Sequence, residues 1–508
     1  METYSKALLE LEELHDSKIM FSSYFLRKGK KETSIDDGTF NDLMLDNIFF
    51  KFFCPYFKTS LGEQILYNDL RNPIFNKDEL LNKRKKLDAL DSSPEKSSLI
   101  HYLNNIGTLK YYNFSDILFK PLKTSTLVTV VASISFIITL LTIILSFHSI
   151  AALFLLAIPL LIYPYISGVF FDSINSEILI LRYLSKVVSN AKYISNLDIT
   201  EFSDELSTLG TLYNKFKYIE FYSNFLGQPL QGTDTIITLL DVFAGTRALS
   251  YLYIAKKITK HKDDYIKMIE IIGTLDGFAT INEIKEHNSV CIPTFTNDKT
   301  FSVENIYNPI INDCVKNSIA LNNEGILLTG SNMAGKSTFL RSIGLNIILS
   351  QTIGIVFADN YIAPISRIFT SISRNDDLLS GKSYYLEEAE AVQYIVNNCN
   401  DDIPMICIID EIFKGTNPTE RIAAATEICN YLSSSNCIPF IATHDSDLTK
   451  SLENYKLYHF SETINDDLSM TFDYKLKEGI CPSSNAIKIL EILEYPKEIL
   501  DKIKKRLC

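Results

Sequence analysis

The sequence predicts an α/β P-loop domain, a mostly parallel sheet flanked by helices, following a mainly α-helical region that a transmembrane helical hairpin interrupts. Three observations predict it. An apolar strand ending at Leu327-Leu328-Thr329 runs into Gly330-Ser331-Asn332-Met333-Ala334-Gly335-Lys336-Ser337-Thr338, a complete G-x-x-x-x-G-K-S phosphate loop. Met405 to Ile409 is a continuous apolar run ending in Asp410-Glu411, the pattern of a buried parallel strand whose C-terminal end borders a ligand site. From Thr124 to Phe171 there is no Asp, Glu, Lys or Arg, and Leu, Ile, Val, Phe and Ala dominate.

In chain order, residues 1–123 read as mostly helical, with a basic turn near Gly29. The charge-free segment 124–171 follows. A bilayer crossing takes about 20 apolar residues, so the segment suffices for two passes joined at Ser146-Phe147-His148-Ser149. Two passes return the chain to one side, and Lys120 and Lys123 before with Arg182 and Lys186 after suit cytoplasmic flanks. The expectation is a two-pass protein of a bacterial cytoplasmic membrane; a buried hairpin in a soluble core is the alternative. Pro159 and Pro164 are tolerable in a membrane helix, where neighbouring groups satisfy the freed carbonyls. Residues 172–300 are again helix-rich, with a long amphipathic pattern from Ile236 to Ile258, and 301–508 hold the P-loop domain.

The 508 residues are ample for about three domains, and 46% hydrophobic content with a mean hydropathy of +0.07 accommodates a membrane hairpin. A net charge of −12 gives no global field favouring nucleic acid. Local basic runs exist at 27–31, 83–86 and 256–262, each reading first as a solvated helix face or loop. The nine cysteines form no C-x-x-C pair and read as reduced thiols without a metal site.

The phosphate loop fixes the chemistry to expect. Gly330 and Gly335 allow the tight turn that aims successive N–H groups at phosphate oxygens, at the positive end of the helix opening near Lys336. Lys336 would reach the β and γ phosphates of ATP, and the Ser337 hydroxyl would ligate Mg²⁺. Asp410 would hold the Mg²⁺ shell through water, and Glu411 is the natural general base for the attacking water. A third strand from Ile438 to Ala442 leads into Thr443-His444, placing an imidazole at the same sheet edge to sense the γ-phosphate. Ser383, where a turn-rich segment enters a helix, reads either as that helix's own cap or as an anion ligand for a partner subunit's nucleotide.

At this point the residues resemble a family. TGSNMAGKSTFLR from Thr329, DDLLSGKSYYLEE from Asp376, IIDEIFKGTNPTER from Ile408 and ATHDSDL from Ala442 resemble the ATPase domain of the DNA mismatch repair protein MutS and its relatives. Upstream, 271–279 is similar to the end of the family's lever helix, and Tyr307-Asn308-Pro309 stands where a His-Pro pair is usual. The stretch Phe57-Lys58-Thr59-Ser60-Leu61-Gly62-Glu63, with Leu70-Arg71-Asn72-Pro73, resembles the opening of the core and lever region. The resemblance implies a homodimeric Mg²⁺-dependent ATPase in which Ser383 closes the partner's site. It also implies a role on DNA, with Asn317 in the nucleotide site and Cys314 or Val315 where the family often carries an aromatic for the adenine. No Phe-x-Glu wedge stands ahead of the core motifs, so the resemblance does not extend to mismatch reading.

Two function classes follow. One is a membrane-anchored MutS-like ATPase acting on DNA or repair partners; the alternative is a membrane ATPase coupling lever motion to transport or remodelling without DNA. The hairpin offers no intramembrane ionisable residue to mark a transport pathway.

Overall fold

The computed structural model describes residues 17–109, 112–227, 235–330, 334–372, 384–413, 417–445, 447–464, 470–481, 490 and 495–507. A helical N-terminal region is followed by a mixed α/β C-terminal domain. Two compact units result, one of Met1–Lys30, Phe53–Asp69 and Arg84–Glu286, the other of Lys31–Phe52, Leu70–Lys83 and His287–Cys508. The structure thus draws its division elsewhere than at residue 300. Segments 31–52 and 70–83 belong with the α/β unit because the short helix Asp37–Asp42 is tied to it: the buried Asp42 carboxylate accepts from Thr370 Oγ1 at 2.8 Å and Ile372 N at 2.9 Å.

The helical unit contains α1 (Ser60–Arg71, its first ten residues), α2 (Thr126–Ser146), α3 (Ala157–Ser173), α4 (Asn175–Ile194), α5 (Thr235–Ala244), α6 (Thr246–Lys260) and α7 (Lys262–His287). Its core is built on α4 and α7. Leu181, Leu184, Val188 and Ala191 of α4 are fully buried, as are Met268, Ile269 and Ile272 of α7, and Tyr265 donates to Leu184 O at 2.7 Å. Two of the stretches singled out in sequence meet here. Asp276 of α7 is buried and accepts from Thr59 N (2.8 Å), Thr59 Oγ1 (2.7 Å) and Lys58 N (3.2 Å), satisfying backbone donors of the two residues just before α1. Gly62 allows the approach: a Cβ there would lie 2.2 Å from Asp276 Oδ2. Burial pushes the Asp276 carboxyl up to about 6, although the Thr59 and Lys58 bonds hold it down. Burial together with the Asp276 charge pushes Glu63 up to about 8.

Two helical segments, Thr126–Ser146 and Ile150–Ser173, are long and apolar enough to cross a membrane, by length and composition. Only 22% and 17% of their most apolar windows are buried in the molecule, and Leu127, Ile137, Leu161 and Val169 are among the large side chains exposed. The continuous pattern expected from Ile236 to Ile258 is broken. Gly245 takes a left-handed φ of +61° and divides it into α5 and α6.

The α/β unit contains two main sheets. Strands β1 (Thr294–Thr296), β2 (Thr300–Ile306), β3 (Asn317–Asn322) and β5 (Asn360–Pro364) form one, in the order β1-β5-β2-β3. The other is six-stranded, from β4 (Gly325–Thr329), β6 (Arg367–Ser371), β7 (Met405–Asp410), β8 (Cys437–Ala442), β9 (Tyr455–His459) and β12 (Lys477–Glu478), in the order β12-β9-β4-β8-β7-β6. All its pairings are parallel except that of β12 with β9. A small hairpin, β10 (Glu462–Ile464) with β11 (Met470–Phe472), follows β9. Strands β4 and β8 are buried throughout, as strands covered on both faces must be.

The helices α8 (Lys336–Thr352), α9 (Tyr384–Asn398) and α10 (Pro418–Ser434) supply that cover. Leu327, Cys407, Ile409 and Ile441 cluster with Val392 and Ile395 of α9 and Ala425, Cys429 and Leu432 of α10. The alternate residue Ile408 faces the other way, and its Cδ1 would lie 3.1 Å from a Cβ placed on Gly344 of α8. The sheet is therefore sandwiched, with its strand ends converging on the start of α8.

Candidate active site

Three adjacent strands, β4, β8 and β7, deliver the candidate residues at their C-terminal ends, where open parallel sheets place ligands. After β4 the chain turns at Gly330, whose φ of +126° suits glycine alone; a Cβ there would sit 2.2 Å from Phe460 O. Ser331, Asn332 and Met333 lie outside the described residues. The loop resumes at the buried Ala334, and Gly335, at φ +106°, is the N-cap residue of α8. Lys336, Ser337 and Thr338 then form the first turn, whose N–H groups have no acceptor within the helix and whose positive dipole end lies at the sheet edge.

Lys336 is buried, 1% exposed, and its ammonium donates to Gly330 O at 2.6 Å, folding the side chain back over the loop. Ser337 Oγ donates to Asp410 Oδ2, which brings the two residues expected at Mg²⁺ side by side. Both are hard oxygen ligands, and Mg²⁺ typically takes one or two protein groups and completes its shell with phosphates and water, so the pair fits that ion. Among the described residues no cluster of three or more His, Cys, Asp or Glu fits a metal held by protein alone.

Glu411 leaves the strand direction. Its φ is +66° and that of Phe413 is +61°, two left-handed residues just beyond β7, in a region where non-glycine residues are uncommon. Glu411 N still bonds Ala442 O at 2.9 Å, so the bend is anchored to β8. His444 Nε2 lies 2.8 Å from Glu411 Oε1 and 3.3 Å from Lys336 Nζ. An ionised carboxylate only accepts, so the imidazole donates through Nε2, and the ammonium beside it contributes charge without a hydrogen bond to that nitrogen. Lysine, glutamate and histidine thus converge, from three separate strand ends, around the loop at Gly330.

The loop bearing His444 is pinned by residues that sequence reasoning passed over. Arg421 of α10 binds Asp445 through two hydrogen bonds, 3.0 Å from Nε and 2.7 Å from Nη2, while Asp445 N donates to Thr443 Oγ1 at 3.0 Å. Such a fork fixes direction as well as distance. Asn417 caps α10, accepting from Thr419 N at 3.0 Å. Ser383 lies outside the described residues.

A cavity of about 540 Å³ lies in the helical unit, but the one beside the phosphate loop, about 350 Å³, is walled by Val315, Asn317, Gly335, Thr338, Phe460 and Tyr474 among others. Its aromatic wall comes from the C-terminal side rather than from Cys314 or Val315. Tyr474 presses against the loop, with its Cδ1 3.1 Å from a Cβ placed on Gly335. Asn317 spends both amide hydrogens on Val315 O (3.3 Å) and Tyr474 O (3.1 Å), and its Oδ1 accepts from Leu476 N at 2.7 Å. It holds the tyrosine's loop in place. Sequence gave no signal for Tyr474, which follows a segment of no particular pattern.

Residues 326–508 match the family model for MutS domain V. Over 312 residues the chain is 29% identical to the DNA mismatch repair protein MutS of Staphylococcus epidermidis, covering 57% of this chain and 34% of that protein. Against the proteins of the same name from Petrotoga mobilis and Listeria monocytogenes it is 32% identical over 266 residues and 30% over 285, covering 49% and 52% of this chain and 32% of each relative. The chain spans about a third of the length of the curated relatives it matches. Residues 326–508, which hold this site, are therefore a MutS-type domain V.

Proposed function

We propose that this chain is a membrane-anchored, Mg²⁺-dependent ATPase of the MutS family that works as a homodimer, with a P-loop ATPase fold in residues 301–508. The observation carrying the reading is the convergence of Lys336, Glu411 and His444 around the loop at Gly330, with Ser337 and Asp410 paired beside it. The N–H groups of the loop and of the first turn of α8 bind the phosphates, with Lys336 on the β and γ groups. Ser337 and Asp410 would hold Mg²⁺, which neutralises phosphate charge when bound. Glu411 accepts the proton of the attacking water, and His444, bonded to it, keeps the carboxylate aimed and monitors the γ-phosphate. The adenine enters the cavity against Tyr474.

The relatives named above are DNA mismatch repair proteins, and DNA is proposed as a partner on that ground. The exposed apolar faces of α2 and α3 support anchoring in a membrane. They equally favour a second reading, in which lever motion drives transport or remodelling without DNA. One preparation tests both. Full-length protein should stay with membranes through carbonate extraction and, once solubilised, hydrolyse ATP; recovery of the intact chain in the soluble fraction would refute the anchor. Stimulation by duplex, mismatched or branched DNA supports the first reading, and turnover indifferent to all three supports the second. A rate unchanged by Lys336→Ala would refute the ATPase assignment.

A further inference from the structure

The ten residues of α5 amount to about 15 Å of helix, half the thickness of a bilayer's hydrocarbon core. They are nevertheless seated along the apolar hairpin. A Cβ on Gly245 would fall 2.8 Å from Ala132 Cβ, so the turn after α5 lies directly on the α2 backbone. Thr139 Oγ1 donates to Phe243 O at 2.6 Å, and Tyr163 of α3 donates to Asp241 Oδ1 at 2.7 Å. Asp241 Oδ1 also accepts from Arg247 N at 2.8 Å, and Gly245 N bonds Asp241 O at 2.8 Å. The Arg247 guanidinium lies over the Phe171 ring, 4.1 Å from its centre.

These contacts fix a depth. Ala132 is six residues and Thr139 thirteen residues from the start of α2, about 9 and 20 Å along its axis. Tyr163 is ten residues from the end of α3, about 15 Å. If α2 crosses a membrane it needs nearly all of its 21 residues to do so, which leaves no room for Thr139 to stand outside the hydrocarbon. Whatever packs on Ala132, Thr139 and Tyr163 is then inside as well.

We propose that α5, the turn at Gly245 and the first turn of α6 form a re-entrant segment, entering the bilayer beside the hairpin and turning back within it, with Asp241 as the latch that holds it to Tyr163. The inference rests on the membrane-anchor reading and adds to it a third membrane element with a carboxylate at its centre. The chemistry of the break agrees. Non-helical backbone survives at membrane depth only where protein satisfies it, and here Thr139 takes a carbonyl at the end of α5 while Asp241 takes an amide at the start of α6. The polar groups face the hairpin, whereas Leu239 and Leu240 of α5 are exposed, continuing the exposed apolar faces of α2 and α3. Their partner is lipid acyl chain. A membrane carboxylate normally has such a partner and a position facing protein. The hairpin itself carries no Asp, Glu, Lys or Arg, and Asp241 reaches it from 78 residues along the chain.

The chain contains no tryptophan, so one substitution supplies a unique fluorophore. Three full-length single-tryptophan proteins are reconstituted in vesicles with and without brominated acyl chains: Leu240→Trp in α5, Leu141→Trp on the exposed face of α2, and Phe221→Trp, exposed in the helical unit outside these segments. The inference expects Leu141→Trp and Leu240→Trp to be quenched by bromolipid and shielded from acrylamide, and Phe221→Trp to show the reverse. If Leu141→Trp is quenched by bromolipid but Leu240→Trp is quenched by acrylamide like Phe221→Trp, the re-entrant segment is refuted while the anchor stands. If neither is quenched by bromolipid, both fall. Adding Asp241→Ala to Leu240→Trp should raise its acrylamide quenching at least twofold, and unchanged quenching would remove the latch role of Asp241.

Discussion

His444 Nε2 donates to Glu411 Oε1 across 2.8 Å, joining the ends of two neighbouring strands above the Lys336 ammonium. The contact orients the carboxylate, the group that would take the proton of the attacking water. Glu411→Gln keeps the size and the hydrogen bond but removes the basicity. It should bind ATP normally and turn over slower by on the order of 10² or more, the usual worth of a general base. Lys336→Ala should weaken binding and turnover together. Nucleotide titration alongside steady-state phosphate release separates the two, and wild-type turnover by Glu411→Gln would exclude it as the base.

Tyr474 carries a second prediction. Its ring closes the cavity next to Gly335, and Asn317 fixes its loop. Base stacking on an aromatic contributes about 1–3 kcal/mol by alanine substitution, measured on nucleic-acid bases. Tyr474→Ala should therefore raise the Kd for ATP roughly 5- to 150-fold, by the conversion of that energy, with kcat at saturation little changed. Tyr474→Phe should bind as the wild type does. A fluorescent nucleotide displaced with equal ease from all three proteins would show that the base lies elsewhere.

Much of this site was legible because its parts are local. A phosphate loop, an apolar strand ending in two carboxylates and a strand ending in Thr443-His444 each announce themselves within a dozen residues, and parallel-sheet logic places them at one edge. The fork between Arg421 and Asp445 was not readable, although both residues sit inside recognised motifs, because a salt bridge leaves no periodicity. Tyr474 was missed for a related reason: a wall residue needs only to arrive at the right place. In the helical unit, apolar composition marks the hairpin, but the break at Gly245 falls inside an amphipathic run that reads as continuous from Ile236 to Ile258. The close approach of Ala132 is what requires it.

The two buried carboxyls Asp276 and Glu63, which repel each other, predict a pH dependence. Both carboxyls are raised above their ordinary values in the folded unit, to about 6 and about 8. A raised carboxyl contributes stability that is fully present below its unfolded value and is lost as pH rises through its folded one. The unit should therefore lose stability from about pH 4 to 6 through Asp276 and on to about 8 through Glu63. Glu63→Gln removes the second loss. Its Tm should exceed that of the wild type at pH 8.5, by a difference on the order of a few kcal/mol of stability, and approach it at pH 5. A gap that is the same at both pH values would show that Glu63 is not ionising in this range.

The last prediction concerns the shared site. Lys336, Ser337, Asp410, Glu411 and His444 all come from a single chain, and Ser383 is proposed to reach the nucleotide of a partner. A Ser383→Arg chain and a Lys336→Ala chain should each fail as homodimers, the first by blocking the partner's site and the second by losing its own lysine. Mixed, they form heterodimers with one composite site, made of an intact Lys336 from one chain and an intact Ser383 from the other. That site should recover part of the ATPase rate, up to about half of the wild-type rate per heterodimer if the two sites act independently. Subunit exchange is established first by co-purification through two different tags. With exchange demonstrated, activity that stays at the level of the separate homodimers at every mixing ratio would assign Ser383 to capping its own helix and remove it from the partner's site.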